Sequence, residues 1–292
     1  MSGTTRFMNS QPSIFIANAK INIGLQITGK RPDGYHLISS FFLEVDLHDR
    51  LHISTTDDSK ITFTSGGLNI PGSDLNICVR AAQLLQREAA LSVGANIHLE
   101  KNIPIGAGLG GGSSDAATTL KTLNTMWDLN LSNQTLSSLA LELGADVPFF
   151  LRGGLQLAAG IGEQLIPIDQ NPLQEYCILL ITPNLHIPTQ WAYQQLKKAL
   201  ISSGNSYNFN ILSSPINWQL FDNVFERVIV SAYPEVGQIK LQLKSAGAIW
   251  SSLSGSGSTM FGIFDDREQA RSARQLFSTC LTHLVQPVKQ TV

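Results

Sequence analysis

Cysteine is scarce in this chain, charge is sparse, and no hydrophobic run is long. The three cysteines, Cys78, Cys177 and Cys280, stand far apart without metal-ligand spacing. An odd count with no pairing pattern excludes a disulfide scaffold and fits a reducing compartment, where each packs as a small hydrophobe. Charged residues make up 14% of the sequence, and 20 basic against 22 acidic side chains leave a net charge of −2. There is no excess of positive charge with which to grip nucleic acid. No segment approaches the roughly 18 uninterrupted apolar residues of a membrane span, and Arg6 is followed by no apolar run of signal-peptide length. The expectation is a soluble cytoplasmic protein whose partners are small molecules, with no nucleic acid, membrane or protein partner implied. Any recognition of phosphate must rest on local geometry: backbone N–H groups, a helix end and one or two placed lysines.

Apolar residues are plentiful instead, at 43% of 292 positions, enough for one large domain or two ordinary ones. Residues 1–12 are polar and patternless and read as a disordered arm. From Ala19 onward Ile21, Ile23, Leu25 and Ile27 alternate with polar or small residues, the period of a half-buried strand, with Lys20, Asn22 and Gln26 on its other face. A turn-rich loop runs from Gly29 to His36. Separate strands are expected at 41–46, 51–55 and 60–64, then a helix over 74–90 and a strand at 96–99. Helices follow at 113–126 and, from a Ser132 cap to a stop at Gly144, at 132–143. The second half reads as strands at 154–159 and 177–182, a helix over 188–200 with proline in its first turn, and a polar loop over 202–214. Helices at 215–231 and 234–245, two strands about Gly255–Gly257, a helix over 267–277 and a final strand complete the chain. Strands come in runs rather than in strict alternation with helices, which predicts an α+β fold of two domains, 13–168 and 169–292, divided near Pro167 and Pro172.

The strongest signal is the run Pro104-Ile105-Gly106-Ala107-Gly108-Leu109-Gly110-Gly111-Gly112-Ser113-Ser114-Asp115. A backbone nearly bare of Cβ atoms lets its N–H groups approach an anion closely. Two serines then cap a helix whose N-terminus favours negative charge. Gly106, Gly108 and Gly111 match the dinucleotide fingerprint, but that motif belongs after the first strand of a βαβ unit, and here several strands and a helix precede it. A Walker A loop needs a lysine after the last glycine, and Ser113 stands there. The alternative is a turn that only lets a helix pack closely. Asp115 has its own plain reading, as a charge that stabilises the helix N-terminus.

The run resembles the ATP-binding motif of the GHMP kinase superfamily. Ala19-Lys20-Ile21-Asn22, Asp33-Gly34-Tyr35-His36, Gly144-Ala145-Asp146-Val147-Pro148, Gly160-Ile161-Gly162-Glu163 and Ser254-Gly255-Ser256-Gly257-Ser258 are similar to further motifs of that family, in its branch acting on a cytidyl diphosphate polyol. The likeness covers nearly the whole chain. It implies a two-domain GHMP kinase fold with the active site in the cleft between domains, ATP as co-substrate, and Mg²⁺ carried by the ATP. It also implies that Pro104 to Ser114 bind ATP.

Phosphoryl transfer is mostly positioning and charge neutralisation, with a base at the attacking hydroxyl. Asp146, followed by Val147, Pro148, Phe149 and Phe150, is the candidate base; the alternative is a turn or cap aspartate. Lys20 by pattern alone is a solvated strand lysine, whereas the resemblance implies a catalytic lysine paired with the aspartate. Asn22, on the same strand face, is a candidate for the substrate polyol. By resemblance Tyr35 stacks on cytosine and His36 reads its edge; by pattern alone they are ordinary surface. Thr189 and Tyr193 join the substrate set, Tyr193 either as a second aromatic slice or as a core residue. His48, His52, His98, His186 and His283 show no ligand spacing, and no carboxylate cluster marks a metal site.

Overall fold

The computed structural model describes residues 12–70, 76–198, 206–213 and 215–289. The alternation that opens the chain gives β1 (Ser13–Lys30), with Ala19, Ile21, Ile23, Leu25 and Ile27 all buried. Lys20 and Asn22 on its other face are buried too, so this part of the strand is covered on both sides. The arm expected over 1–12 lies outside the described residues apart from Pro12. β2 (His36–Thr56) fuses the two strands expected at 41–46 and 51–55. Leu47, His48, Asp49 and Arg50 between them include no glycine or proline, so nothing interrupts the extended chain.

β3 (Ile61–Gly67) is followed by α1 (Ile77–Glu88), capped by the Asn76 side chain accepting from the Cys78 N–H. The expected start at Asp74 lies outside the described residues. β4 (Gly94–Lys101) leads to α2 (Gly111–Met126), which begins two residues before the expected Ser113. α3 (Asn133–Leu143) starts on its Ser132 cap and stops at Gly144 as its sequence predicts. A short α4 (Phe149–Arg152), β5 (Leu155–Ala159), β6 (Gln164–Pro167) and β7 (Cys177–Thr182) come next. α5 (Thr189–Lys198) is followed by α6 (Phe225–Ala232) and α7 (Pro234–Ser245). The single helix expected over 215–231 is instead a 3₁₀ turn, Trp218–Leu220, and the separate α6; Asn217 and Asn223 use their side chains to bond nearby backbone and break the run. The loop expected over 202–214 is described only at 206–213, where it holds the 3₁₀ turn Phe209–Leu212. β8 (Trp250–Leu253), β9 (Met260–Phe264), α8 (Arg267–Arg274) and β10 (Leu281–Val285) end the order.

The chain divides into two compact units built from interleaved segments. The first takes the chain up to Asn18, His48–Ile103 and Gly111–Arg152. Within it β3 pairs with β4 in parallel (Phe63 opposite Ile97), and β4 pairs antiparallel with the end of β2 (Ile53 opposite Ile97). α1 packs against α2 and α3 through buried Val79, Ala82, Leu85, Ala116, Leu120 and Ala140. The second unit takes Ala19–Leu47, Pro104–Gly110 and the chain from Gly153. There the start of β2 pairs with β5, and β5 with β6, all antiparallel. A four-stranded antiparallel sheet, ordered β10-β7-β9-β8, carries α7 and α8. Its inner strand β7 is buried at every residue, as a strand covered on both faces must be. Two sheets with segregated helices confirm the expected mixed fold. No described helix is long and apolar enough to cross a membrane.

Candidate active site

The glycine run leaves β4 as a loop whose Gly106, Gly108 and Gly110 have φ of 64°, 79° and 70°. Those are left-handed conformations that side chains other than glycine adopt at a cost. The loop is fastened through its carbonyls. Lys20 N–H donates to Leu109 O (2.9 Å), Thr259 N–H to Ala107 O (3.2 Å), and Ser254 Oγ to Gly108 O (2.8 Å). A Cβ on Gly108 would overlap the Ser254 carbonyl, and one on Gly106 would stand 3.0 Å from the His186 ring. Three consecutive carbonyls are turned to protein donors, and among the described residues no backbone partner is seen for the N–H groups of Gly106, Ala107, Gly108, Leu109 and Gly110.

α2 takes over at Gly111. Ser113 and Ser114 therefore do not cap the helix as expected; they lie in its first turn, because Gly110 at positive φ makes the turn and the two glycines after it are already helical. The N–H groups of Gly111, Gly112 and Ser113 precede the first intrahelical hydrogen bond of α2 and have no partner within the helix. Together with the helix dipole they favour an anion there. A Cβ on Gly112 would meet nothing within 4 Å.

Asp115 does not play the plain part expected of it at the helix start. It is buried, and its Oδ2 accepts from Lys101 Nζ at 2.6 Å. Lys101, also buried, donates to Asp49 Oδ2 at 2.5 Å, while Asp49 Oδ1 accepts the N–H groups of Asn102 (2.6 Å) and Ile103 (2.8 Å). The ammonium lies under the start of α2: a Cβ on Gly111 would come within 2.9 Å of it. Two carboxylates share one cation, and Asp115 Oδ1 has no partner among the described residues. Burial, opposed by the Lys101 charge and reinforced by that of Asp49, pushes the Asp115 carboxyl up to about 7. For Lys101 burial works downward, but the two carboxylates outweigh it and raise its pKa. Cys78, buried beside this cluster, has its thiol pushed up by burial. Sequence reading missed Asp49 and Lys101, which carry no local signal of a role.

In the second unit Lys20 is 3% exposed, so its reading as a solvated strand lysine fails. Its Nζ donates to Asn22 Oδ1 (2.8 Å) and sits 4.6 Å from the centre of the Phe42 ring. Asn22 Nδ2 donates to Ser40 Oγ (2.9 Å), which donates to Gly24 O (2.6 Å). Asp146 lies in the first unit, half-buried in the turn from α3 to α4, where Val147 N–H donates to Gly144 O (3.1 Å). Tyr35 closes a turn made by Gly34 at φ 96° and is 60% exposed. His36 stacks on Tyr193, with ring centres 5.0 Å apart and planes 27° from parallel, and Phe225 meets Tyr193 edge-on at 4.8 Å. Thr189, first residue of α5, shares a 3.0 Å hydrogen bond with Ser256. The structure thus groups Lys20 with Asn22, His36 with Tyr193, and Thr189 with the glycine motif at Ser254–Ser258. Among the described residues no group of three or more His, Cys, Asp or Glu side chains could hold a metal ion.

The family described as GHMP kinases N terminal domain matches residues 76–154, and that described as GHMP kinases C terminal matches residues 208–279. A 4-diphosphocytidyl-2-C-methyl-D-erythritol kinase from Prosthecochloris aestuarii is 43% identical over 276 residues, covering 90% of this chain and 93% of the relative. One of the same name from Syntrophotalea carbinolica is 42% identical over 267 residues, covering 91% and 94%. A crystal structure of 4-(cytidine 5'-diphospho)-2C-methyl-D-erythritol kinase superposes with a TM-score of 0.80 at 31% identity, over 94% of this chain and 100% of the other. A homoserine kinase from Cytophaga hutchinsonii shares the fold, with a TM-score of 0.73 at 18% identity over 96% of each chain.

Proposed function

This chain belongs to the GHMP kinases, and on that premise we propose that it transfers the γ-phosphoryl group of ATP to the 2-hydroxyl of 4-diphosphocytidyl-2-C-methyl-D-erythritol, a step of the non-mevalonate route to isoprenoid precursors. The observation that carries the acceptor is the likeness of nearly the whole chain, at 41–44% identity, to relatives that bear this substrate in their names. The two domains of the reading divide between residues 168 and 169, which keeps each family match within one of them.

The residues divide the work by their chemistry. The peptide N–H groups from Pro104 to Ser114 bind the ATP phosphates, and the bare glycines allow the approach. Asp146 takes the proton of the attacking hydroxyl. Lys20, a desolvated cation, stabilises the negative charge that develops as the hydroxyl attacks. Asn22 orients that ammonium and the polyol. Tyr35 and His36 receive the cytosine, with Tyr193 behind His36 and Thr189 at the start of α5. Magnesium would arrive with the ATP, and there it would neutralise part of the phosphate charge. The protein is placed in the cytoplasm, a location supported by its three free cysteines.

A phosphotransfer assay tests the reading. Purified enzyme with ATP should phosphorylate the cytidyl polyol and leave homoserine and mevalonate unchanged. Turnover of homoserine in preference to the cytidyl polyol would replace the acceptor while keeping the kinase.

A further inference from the structure

Asn223 lies just ahead of α6, with 0% of its surface exposed. Its Nδ2 donates to Leu253 O (2.7 Å) and Gly255 O (2.9 Å), and its Oδ1 accepts the Phe225 N–H (2.9 Å). Its chain neighbours are stitched to β1: Leu25 N–H donates to Asp222 O (2.8 Å), and Val224 N–H to Leu25 O (2.9 Å). One turn on, Glu226 accepts from Ser252 Oγ (2.6 Å) and Leu253 N–H (2.9 Å), and pairs with Lys240. Asn223 and Glu226 thus grip the near end of the loop that joins β8 to β9.

The same loop fastens the phosphate cradle. Ser254 Oγ holds Gly108 O, Thr259 N–H holds Ala107 O, and the Ser254 carbonyl stands where a Gly108 side chain would be. Ser256 reaches Thr189 in the other direction. No hydrogen bond joins Asn223 to residues 104–110 among the described residues; its connection to them runs through the loop.

We infer that Asn223 is a positioning residue for the nucleotide: by donating to two carbonyls of the 253–255 segment it sets the height of Ser254 and Thr259, and through them the aim of the cradle N–H groups. An amide side chain suits the task, because one nitrogen supplies two donors while the oxygen remains an acceptor for the start of α6. The inference rests on the reading of the glycine run as the ATP site, and it deepens that reading.

The test is an equilibrium titration with a non-hydrolysable ATP analogue, which involves no acceptor. Asn223→Asp keeps the shape and the Phe225 contact but turns a carboxylate toward two carbonyls. Asn223→Ser keeps a short acceptor and loses the reach. Each should weaken analogue binding by about tenfold in the folded protein, the scale of one misplaced hydrogen bond to a charged group. Ser254→Ala, at the other end of the relay, should act similarly, and the Asn223→Ser/Ser254→Ala double variant should bind no more weakly than the weaker single, because both cut one path. A merely structural asparagine would lower the thermal midpoint and leave affinity unchanged, or give additive losses; either result overturns the inference. If neither Asn223 variant folds, unchanged affinity in Ser254→Ala overturns it by the same criterion. A wild-type protein that fails to bind the analogue overturns the reading of the glycine run itself.

Discussion

Lys20 donates from Nζ to Asn22 Oδ1 at 2.8 Å, two residues along the same strand and on the same buried face. Because Asn22 is itself held by Ser40, the ammonium has a fixed direction rather than the loose sweep of a surface lysine. A cation already stripped of water has little reorganisation left to undergo when charge develops beside it. Lys20→Met should lower kcat by about 10²–10³. On the proposed role the ATP KM should stay within about threefold, because a lysine acting on the transition state adds little to ground-state binding. Steady-state kinetics decide; turnover near that of the wild type would remove Lys20 from the chemistry.

Asp146→Asn should leave ATP binding nearly intact and lower turnover by about 10²–10⁴, the range for loss of a general base. The substitution keeps the shape of the side chain, and the backbone bond of the turn, from Val147 N–H to Gly144 O, does not involve it. A rapid-quench measurement of the first turnover separates the loss in chemistry from any change in product release.

Asp115 gives the fold a pH dependence of definite sign. Its carboxyl rises from an ordinary 3.8 to about 7 in the folded protein, so between those values the folded state holds a proton that the unfolded state has lost. Stability therefore falls as pH rises through that window, by up to about 1.4 kcal/mol per pH unit, and levels off above it. Lys101, whose pKa is raised, contributes stability that is fully present below its ordinary 10.5 and is lost as pH rises from there through its folded value, outside the window. Asp49 and Cys78 also face the cluster and stay in place in both proteins compared. Asp115→Asn keeps the shape and cannot titrate, so this part of the slope should vanish. Urea unfolding from about pH 5 to about pH 8 checks it; equal slopes in the two proteins would refute the assignment.

What the sequence made legible was local. The alternation in β1, the Ser132 cap and the Gly144 stop each depend on neighbours along the chain, and each appears in the structure. The glycine run could be recognised because its backbone needs are written in the residues themselves. The burial of Lys20 could not, since alternation describes one strand and not the Phe42 and Ser40 that cover its second face. Asp49 and Lys101 meet across 52 positions of sequence, and no short pattern announces such a pair. Asn223 was nearer to legible: an asparagine with a glutamate three residues later, ahead of an apolar stretch, is a helix-start signal. The helical periodicity of 215–231 hides it, because the pattern runs through Asn223 without a break.

Two glycines of the cradle separate folding from binding. At Gly108 φ is 79° and a Cβ would overlap Ser254 O, so Gly108→Ala should lower both stability and ATP affinity. Gly112 is helical with open space around it, so Gly112→Ala should hold or raise the thermal midpoint, in line with a helix-propensity gain of up to about 1 kcal/mol. If phosphate occupies that open space, the added methyl should still raise the ATP KM by about tenfold, roughly 1.4 kcal/mol of lost binding. An unchanged KM in a stable Gly112→Ala would take this face of the helix out of the phosphate site.

The residues proposed to recognise the base are partly in contact with one another. His36 is stacked on Tyr193, and Phe225 closes on Tyr193 from its edge, so the imidazole plane is fixed by two aromatic neighbours in series. Tyr35, by contrast, is exposed, with the Arg31 guanidinium 6.0 Å from its ring centre. On the proposed reading Tyr35 supplies the face that cytosine lies on, and His36 supplies the edge contact that distinguishes cytosine from uracil. Tyr35→Ala should then cost about 1–3 kcal/mol of substrate binding, and Tyr35→Phe little, because the ring carries the stack. His36→Ala should narrow the preference for CDP over UDP, since an edge contact penalises the wrong base by leaving a polar group unpaired. Tyr193→Leu should narrow it as well, by freeing the histidine ring, whereas Tyr193→Phe keeps the stacked partner and should retain the preference. None of these changes should alter the ATP KM. Titrating CDP and UDP into the wild type and the five single variants measures every term. Equal affinity of the wild type for the two nucleotides would end the cytosine assignment and favour an acceptor without a base.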